Sequence, residues 1–329
     1  MLVSNLLAAF VEKFSHEHPI EGLIIGERDE PTDRQDWTTI TVKASTINHH
    51  DIWSLRGVGL DESNLPMILG CDCSGIDADG NEVIVHSVIG DPMIIGPKGD
   101  ETFDPNRSLL SERYNGTLAE RVSVPKWNIL PKPPEISFEE AACLPTAWLT
   151  AYRMLVRDSN LSTGDKVLIQ GAGGGVASAA IILAKALGME VWITSRDEVK
   201  RRRALDLGAD RAYESGERLD DRVDCVIETV GKATWSHSLK SLRPGGTVVV
   251  SGATSGDDPS ADLKRVFFRQ LRVIGSTMGS KSELLALTQL VAKSNIHPPI
   301  EAVIPLAQAR RGFELLESGD VFGKIVVLP

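Results

Sequence analysis

Cysteine is scarce in this sequence, with four in 329 residues and no regular spacing. A disulfide framework is therefore excluded, and the expected compartment is the reducing cytoplasm. Basic charge is short as well: 35 Lys and Arg stand against 45 Asp and Glu, a net charge of −10. No nucleic-acid partner is expected, because neutralising phosphates needs a Lys/Arg surplus on some face, and the one basic run, residues 200–203, is short. Long apolar runs are missing too, so no membrane partner is expected. A small-molecule partner is what remains.

The composition has ordinary aliphatic content, with 42% apolar and 24% charged residues, enough to fill real cores. A chain of this length exceeds what one core usually supports, so two unequal domains are expected. At the start, Val3, Leu6, Leu7, Phe10 and Phe14 fall at helical spacing and predict an amphipathic docking helix. The rest of the first third reads as β, with short β-branched runs at residues 23–25, 38–43, 82–85 and 118–124 between Gly, Pro and Asp clusters. Pro92, Gly96, Pro97, Gly99 and Pro105 mark an irregular excursion. Ser137 to Glu140 has the form of a capping box that opens a helix.

Beyond that point strands and helices alternate. Strands are expected at residues 166–170, 191–194, 223–228, 247–251, 271–274 and 324–328, and helices at 176–187, 198–207 and 281–294. The predicted fold class is α/β, with a doubly wound parallel sheet. The sequence Val167-Leu-Ile-Gln-Gly171-Ala-Gly-Gly-Gly175-Val-Ala177 follows a strand and opens a helix, the setting that a dinucleotide fingerprint requires. Gly173, Gly174, Gly175 and Val176 are the loop candidates, Gly174 letting backbone approach a pyrophosphate and Ala177 keeping helix close to strand. Ala172 stands in place of the usual first glycine.

About twenty residues on, NAD-specific folds place an acid for the ribose hydroxyls. Here Ser195 and Arg196 occupy that place, with Lys200 one turn further, so a 2′-phosphate would meet a hydroxyl and cations. Such charge-assisted bonds are worth roughly 1.5–3 kcal/mol each. The expected cofactor is NADPH, with Asp197 and Glu198 beginning the next helix and Ser195 and Glu198 forming its cap.

These segments together resemble the medium-chain dehydrogenase/reductase superfamily. The likeness rests on Asn48-x-x-Asp51, PMILG at residues 66–70, GTLAE at 116–120, LTAY at 149–152, the glycine loop, LGAD at 207–210, ETVG at 228–231 and GGT at 245–247. It implies a Rossmann domain, residues 148–275, inserted in a barrel-like chaperonin-10-like domain, residues 1–147 and 276–329, with the active site in the cleft between them. It also implies that Val230, Gly252, Ser276, Thr277 and Met278 line the nicotinamide and that homodimers form through the strand at 271–274.

The alcohol dehydrogenases of the family hold zinc by Cys, His and Cys beside a Glu. Asn48, Cys71 and Thr146 stand where those ligands would fall and Asp72 where the Glu would, so no zinc is expected. Cys71 and Cys73 alone make a poor cage. Without a metal, hydride transfer needs a positioned hydrogen-bond donor or a substrate that accepts hydride readily, such as a quinone, an enone or an aldehyde. His50, Asn48, Asp51 and Thr146 are the candidates, with His50 as proton carrier and Trp148 and Tyr114 as possible walls. The alternatives are a zinc alcohol dehydrogenase with displaced ligands and a low-turnover NADPH-binding or sensing protein.

Overall fold

The structure is a computed structural model that describes residues 5–95 and 99–329. Two compact units divide the chain: Met1–Leu149 with Gly279–Pro329, and Thr150–Met278.

The first unit is built around the long strand Trp37–Ile47. One half of it pairs antiparallel with Arg121–Pro125 and the other with Lys324–Leu328, while Asp72–Ile76 lies along its opposite edge. A seven-stranded sheet results, carrying Ile300–Pro305 beyond the C-terminal strand. A smaller sheet sets Asn5–Val11 between Leu23–Asp29 and Met67–Ile68.

Asn5–Val11 corrects the expected N-terminal helix, although Val3 lies outside the described residues. Leu6, Ala8 and Phe10 pack into one cluster with Ile68 and Ala119, while Ala9 and Val11 enter the main core with Leu55, Phe313 and Ile325. With both faces buried, the strand is apolar almost throughout, and such a run can mimic a helical stripe. Pro92–Ile95 and Glu101–Phe103 form short helical turns within the irregular excursion, of which Gly96 and Pro97 lie outside the described residues. The capping box forms as read: Ser137 Oγ accepts from the Glu140 amide, and the Glu140 carboxylate accepts from the Ser137 amide.

The second unit is a sheet of six parallel strands: Lys166–Gln170, Glu190–Thr194, Arg211–Tyr213, Val223–Glu228, Leu242–Val250 and Arg272–Gly275. Numbered along the chain, they lie in the order third, second, first, fourth, fifth, sixth. This is the doubly wound order of dinucleotide-binding domains, and its direction reverses between the first and fourth strands. Leu168, Trp192, Val226 and Val248 fill the core on one face. The third strand escapes the sequence reading because three residues are too few to show a period. Trp235–Ser241, a helix with no apolar stripe to mark it, escapes for a similar reason.

No helix among the described residues is long and apolar enough to cross a membrane.

Candidate functional site

Each unit carries a polar constellation of its own. In the second unit, Gly171 leaves the first strand with φ +82°, a backbone conformation that glycine adopts without strain. Gly174 then caps the helix Gly175–Ala186, and a Cβ built on it would meet nothing within 4 Å, so the loop faces open space. Val176 lies in the first turn, where the free amides of a helix start favour an anion. Ala177 is buried, as close helix packing requires.

At the end of the second strand, Ser195 is nearly buried and Arg196 is exposed. The cap of the following helix differs from the one expected. Asp197 is the cap, its carboxylate accepting from the Lys200 amide at 3.1 Å, while Ser195 Oγ accepts from the Asp197 amide at 3.2 Å. Asp197 therefore spends its charge on its own helix, a preferred arrangement at such ends. Arg201, which sequence reasoning missed, donates from Nη1 to the Ser195 carbonyl at 2.6 Å and holds this corner in place. Only folding shows which member of the basic run turns inward.

Two hydroxyls at the C-terminal ends of the fifth and sixth strands, Ser251 and Ser276, are buried without a hydrogen-bond partner. They flank Gly252 and Thr277. Met278 takes φ +49°, uncommon for a side-chain-bearing residue and a recurrent mark of functional turns. Unmatched polar groups at this edge of the sheet, with the open glycine loop, fit a dinucleotide laid across the strand ends.

The first unit holds a denser cluster centred on Asp72, which is fully buried. Its Oδ2 accepts from Thr46 Oγ1 at 2.7 Å and Asn48 Nδ2 at 2.8 Å, and the Lys324 ammonium lies 3.5 Å away. Thr146 Oγ1 donates to Oδ1, and Ser87 Oγ reaches the same oxygen at 3.5 Å. Lys324 also donates to Asn48 Oδ1 at 2.5 Å. Asn48 thus faces a cation with its oxygen and a carboxylate with its nitrogen, which settles the orientation of the amide.

The structure brings Asn48 and Thr146 together on Asp72. Asp51 lies apart, its two oxygens accepting the amides of Asn48 and Gly70 at 2.8 Å each. Burial raises its pKa against the opposing pull of His50 and those amides. His50 keeps a buried Nε2 without a partner. Trp148 is fully buried, and Tyr114 stacks edge-on against Trp37 with Arg34 above the ring. Lys324 was not a candidate, since a lysine opening an apolar strand carries no sequence signal.

The donors around Asp72 do not fit zinc. They are an amide, two threonine hydroxyls and a serine, and an ammonium already faces the carboxylate, whereas zinc takes convergent Cys, His and carboxylate ligands. Among the described residues no three His, Cys, Asp or Glu side chains gather as a metal site. Burial pushes the Cys71 and Cys73 thiols up, with the neighbouring carboxylates adding to it.

A profile described as zinc-binding dehydrogenase matches residues 175–293, and one described as alcohol dehydrogenase GroES-like domain matches residues 34–134. A crystal structure of an NAD-dependent alcohol dehydrogenase superposes with a TM-score of 0.91 at 33% identity, covering 98% of this chain and 99% of that one. The chain belongs to the medium-chain dehydrogenase/reductase superfamily. The α/β fold class and the family resemblance are both borne out, and the protein is an oxidoreductase. Among its relatives is an acryloyl-coenzyme A reductase of Sulfurisphaera tokodaii, 27% identical over 94% of this chain and 98% of that protein. A 2-octenoyl-CoA carboxylase reductase, solved with NADP and 2-octenoyl-CoA, aligns at 27% identity with a TM-score of 0.91, covering 100% of this chain and 88% of that one.

Removing one member of a buried ion pair leaves the other uncompensated, at a cost of about 3–5 kcal/mol. Lys324→Met is expected to destabilise the protein by about that much in denaturant titration, and adding Asp72→Asn should restore most of the loss. A second expectation concerns His86, which is buried with both ring nitrogens unpartnered. Burial, with the Lys281 charge adding to it, pushes its pKa down to about 3. Between that value and the ordinary histidine range the unfolded chain binds the extra proton, so stability falls as pH falls through this window. The slope from this group reaches about 1.4 kcal/mol per pH unit at most. His86→Phe should flatten the dependence of the unfolding midpoint on pH between roughly 6.5 and 4.5.

Proposed function

We propose that the protein is an NADPH-dependent, zinc-independent reductase that adds hydride to an electron-poor double bond conjugated to a carbonyl, the class of enones and enoyl thioesters. The cluster around Asp72 carries this reading: Asn48 and Thr146, at two of the positions from which the alcohol dehydrogenases hold their metal, give their hydrogens to Asp72, and the Lys324 ammonium faces the same carboxylate. The relatives support it, because acryloyl-CoA and 2-octenoyl-CoA are both α,β-unsaturated thioesters and one of the enzymes was solved with NADP.

NADPH, when bound, supplies the hydride. As hydride reaches the β-carbon, negative charge builds on the carbonyl oxygen, and stabilising it calls for a donor fixed in advance. Asn48 has the right properties: Lys324 fixes its oxygen, Asp72 takes one amide hydrogen, and a second N–H remains to be given. Asp51 positions Asn48 through the backbone. His50, with its unpartnered Nε2, carries the proton that completes the reduction.

Ser195, Arg196 and Lys200 receive the 2′-phosphate. Four free, buried cysteines accord with a reducing cytoplasm. A homodimer would form through the edge strand Arg272–Gly275, where Val273 is exposed, as are Leu263, Phe267 and Phe268 on the helix Leu263–Phe268 that precedes it. Light scattering that finds only monomer would refute that pairing.

A zinc-dependent alcohol dehydrogenase is the second reading, favoured by the NAD-dependent alcohol dehydrogenase at 33% identity. Metal analysis separates the two: the proposal expects substoichiometric zinc and NADPH-driven reduction of crotonyl-CoA or an enone that survives chelation. One tightly held zinc per chain with chelator-sensitive alcohol oxidation overturns it, and quinones and aldehydes complete the substrate panel. For the cofactor, Arg196→Ala is expected to weaken NADPH by about tenfold to a hundredfold while leaving NADH unchanged. Equal weakening of both nucleotides would remove Arg196 from the phosphate site.

A further inference from the structure

A buried hydrogen-bond chain crosses the C-terminal ends of three neighbouring strands of the nucleotide-binding unit. It starts at the residue before Ser195, where Thr194 Oγ1 donates to Gln170 Oε1 at 2.6 Å. Gln170, only 1% exposed, ends the first strand just ahead of the glycine loop. Its amide nitrogen reaches Ser238 Oγ at 3.0 Å and His237 Nδ1 at 2.9 Å. Ser238 in turn donates to Glu228 Oε2 at 2.5 Å. Glu228 Oε1 accepts the amides of Val230 at 2.8 Å and Gly231 at 3.0 Å.

The direction of each bond is determined. A carboxylate can only accept, so Ser238 donates to it and takes a hydrogen from Gln170. His237 Nε2 lies 2.8 Å from the Glu217 carbonyl, which also can only accept, leaving Nδ1 to receive the other Gln170 hydrogen. Gln170 therefore has all its hydrogen-bonding groups committed in one orientation. A saturated buried network of this kind is stiff, because leaving any one donor or acceptor unpaired costs about 1–3 kcal/mol.

We propose that Gln170 is a positioning residue and that the chain Thr194–Gln170–Ser238–Glu228 sets the contacts at Ser195 and Arg196 in register with the turn at Val230 and Gly231. The proposal rests on the NADPH reading above, in which these places meet opposite ends of one cofactor. Hydride transfer tolerates little misplacement of the reacting atoms, so a device that transmits position from the phosphate end serves the chemistry.

The test uses cross-effects in the full-length enzyme. Thr194 and Glu228 share no hydrogen-bond partner, so separate roles should give additive effects, whereas a connecting chain should not. Glu228→Gln, at the Val230 end, is expected to lower the ratio of NADPH to NADH affinity by about threefold or more, and Thr194→Val to lower kcat at saturating NADPH by a similar factor. In each of these two quantities the double variant should lose less than the product of the losses of the two single variants, and Thr194→Ser should recover kcat. An unchanged affinity ratio in Glu228→Gln, an unchanged kcat in Thr194→Val, or multiplicative losses overturn the proposal. If Glu228→Gln does not fold, Ser238→Ala cuts the same link and carries the measurement. A wild-type enzyme that prefers NADH would end the NADPH reading alone, since the same cross-effects on NADH affinity and kcat still decide the chain.

Discussion

The buried meeting of Asp72 with Lys324 is the constraint on which the first unit depends. The two residues lie 252 positions apart in sequence, and their contact ties the C-terminal strand to the strand Asp72–Ile76 through Trp37–Ile47 between them. Two charges taken out of water are costly unless their geometry is good and the remaining valences are filled. Here Thr46, Asn48, Thr146 and Ser87 fill them, so the ion pair organises this cluster of polar side chains. Asn48 owes its amide orientation to it directly. Hydroxyls of Ser45 and Thr117 fasten the Asp72 carbonyl from behind at 2.7 and 2.8 Å, extending the same order into the backbone.

The nucleotide-binding unit shows the complementary pattern. Gln170, Thr194, Ser238 and Glu228 leave nothing unmatched, while at the same edge the buried hydroxyls of Ser251 and Ser276 have no partner and Gly174 faces empty space. Saturated groups give stiffness, and unsaturated buried ones carry a cost that a bound group can relieve. That division sets stiff groups beside the ones left to bind, which a domain needs if it is to hold a long, flexible dinucleotide in one pose. The helix that follows Ser195 contributes in the same way, since Asp197 caps it and Arg201 reaches back to the Ser195 carbonyl. The acid nearest the proposed phosphate site is thereby committed elsewhere.

Local patterns in the chain determined a good deal. The alternation of strand and helix, the glycine loop after a strand and the absence of an acid at Ser195 and Arg196 are all readable because each depends on neighbours a few residues away. Five of the six parallel strands, the capping box at Ser137 and the α/β class follow from such patterns. The same locality misled at the N-terminus, where an apolar run buried on both sides has no period of its own and only its strand partners make it Asn5–Val11.

Tertiary structure alone decided the rest. No spacing rule connects Lys324 to Asp72 or Gln170 to Ser238, because those contacts arise when folding brings distant polar groups into the same low-dielectric interior. There every donor must find an acceptor, and the choice of partner depends on which side chains packing has brought within reach. Asn48, Asp72 and Thr146 were legible in the sequence as members of one polar site, whereas Lys324, Thr46 and Ser87 were not. Their pairing, orientation and charge balance were set by the fold.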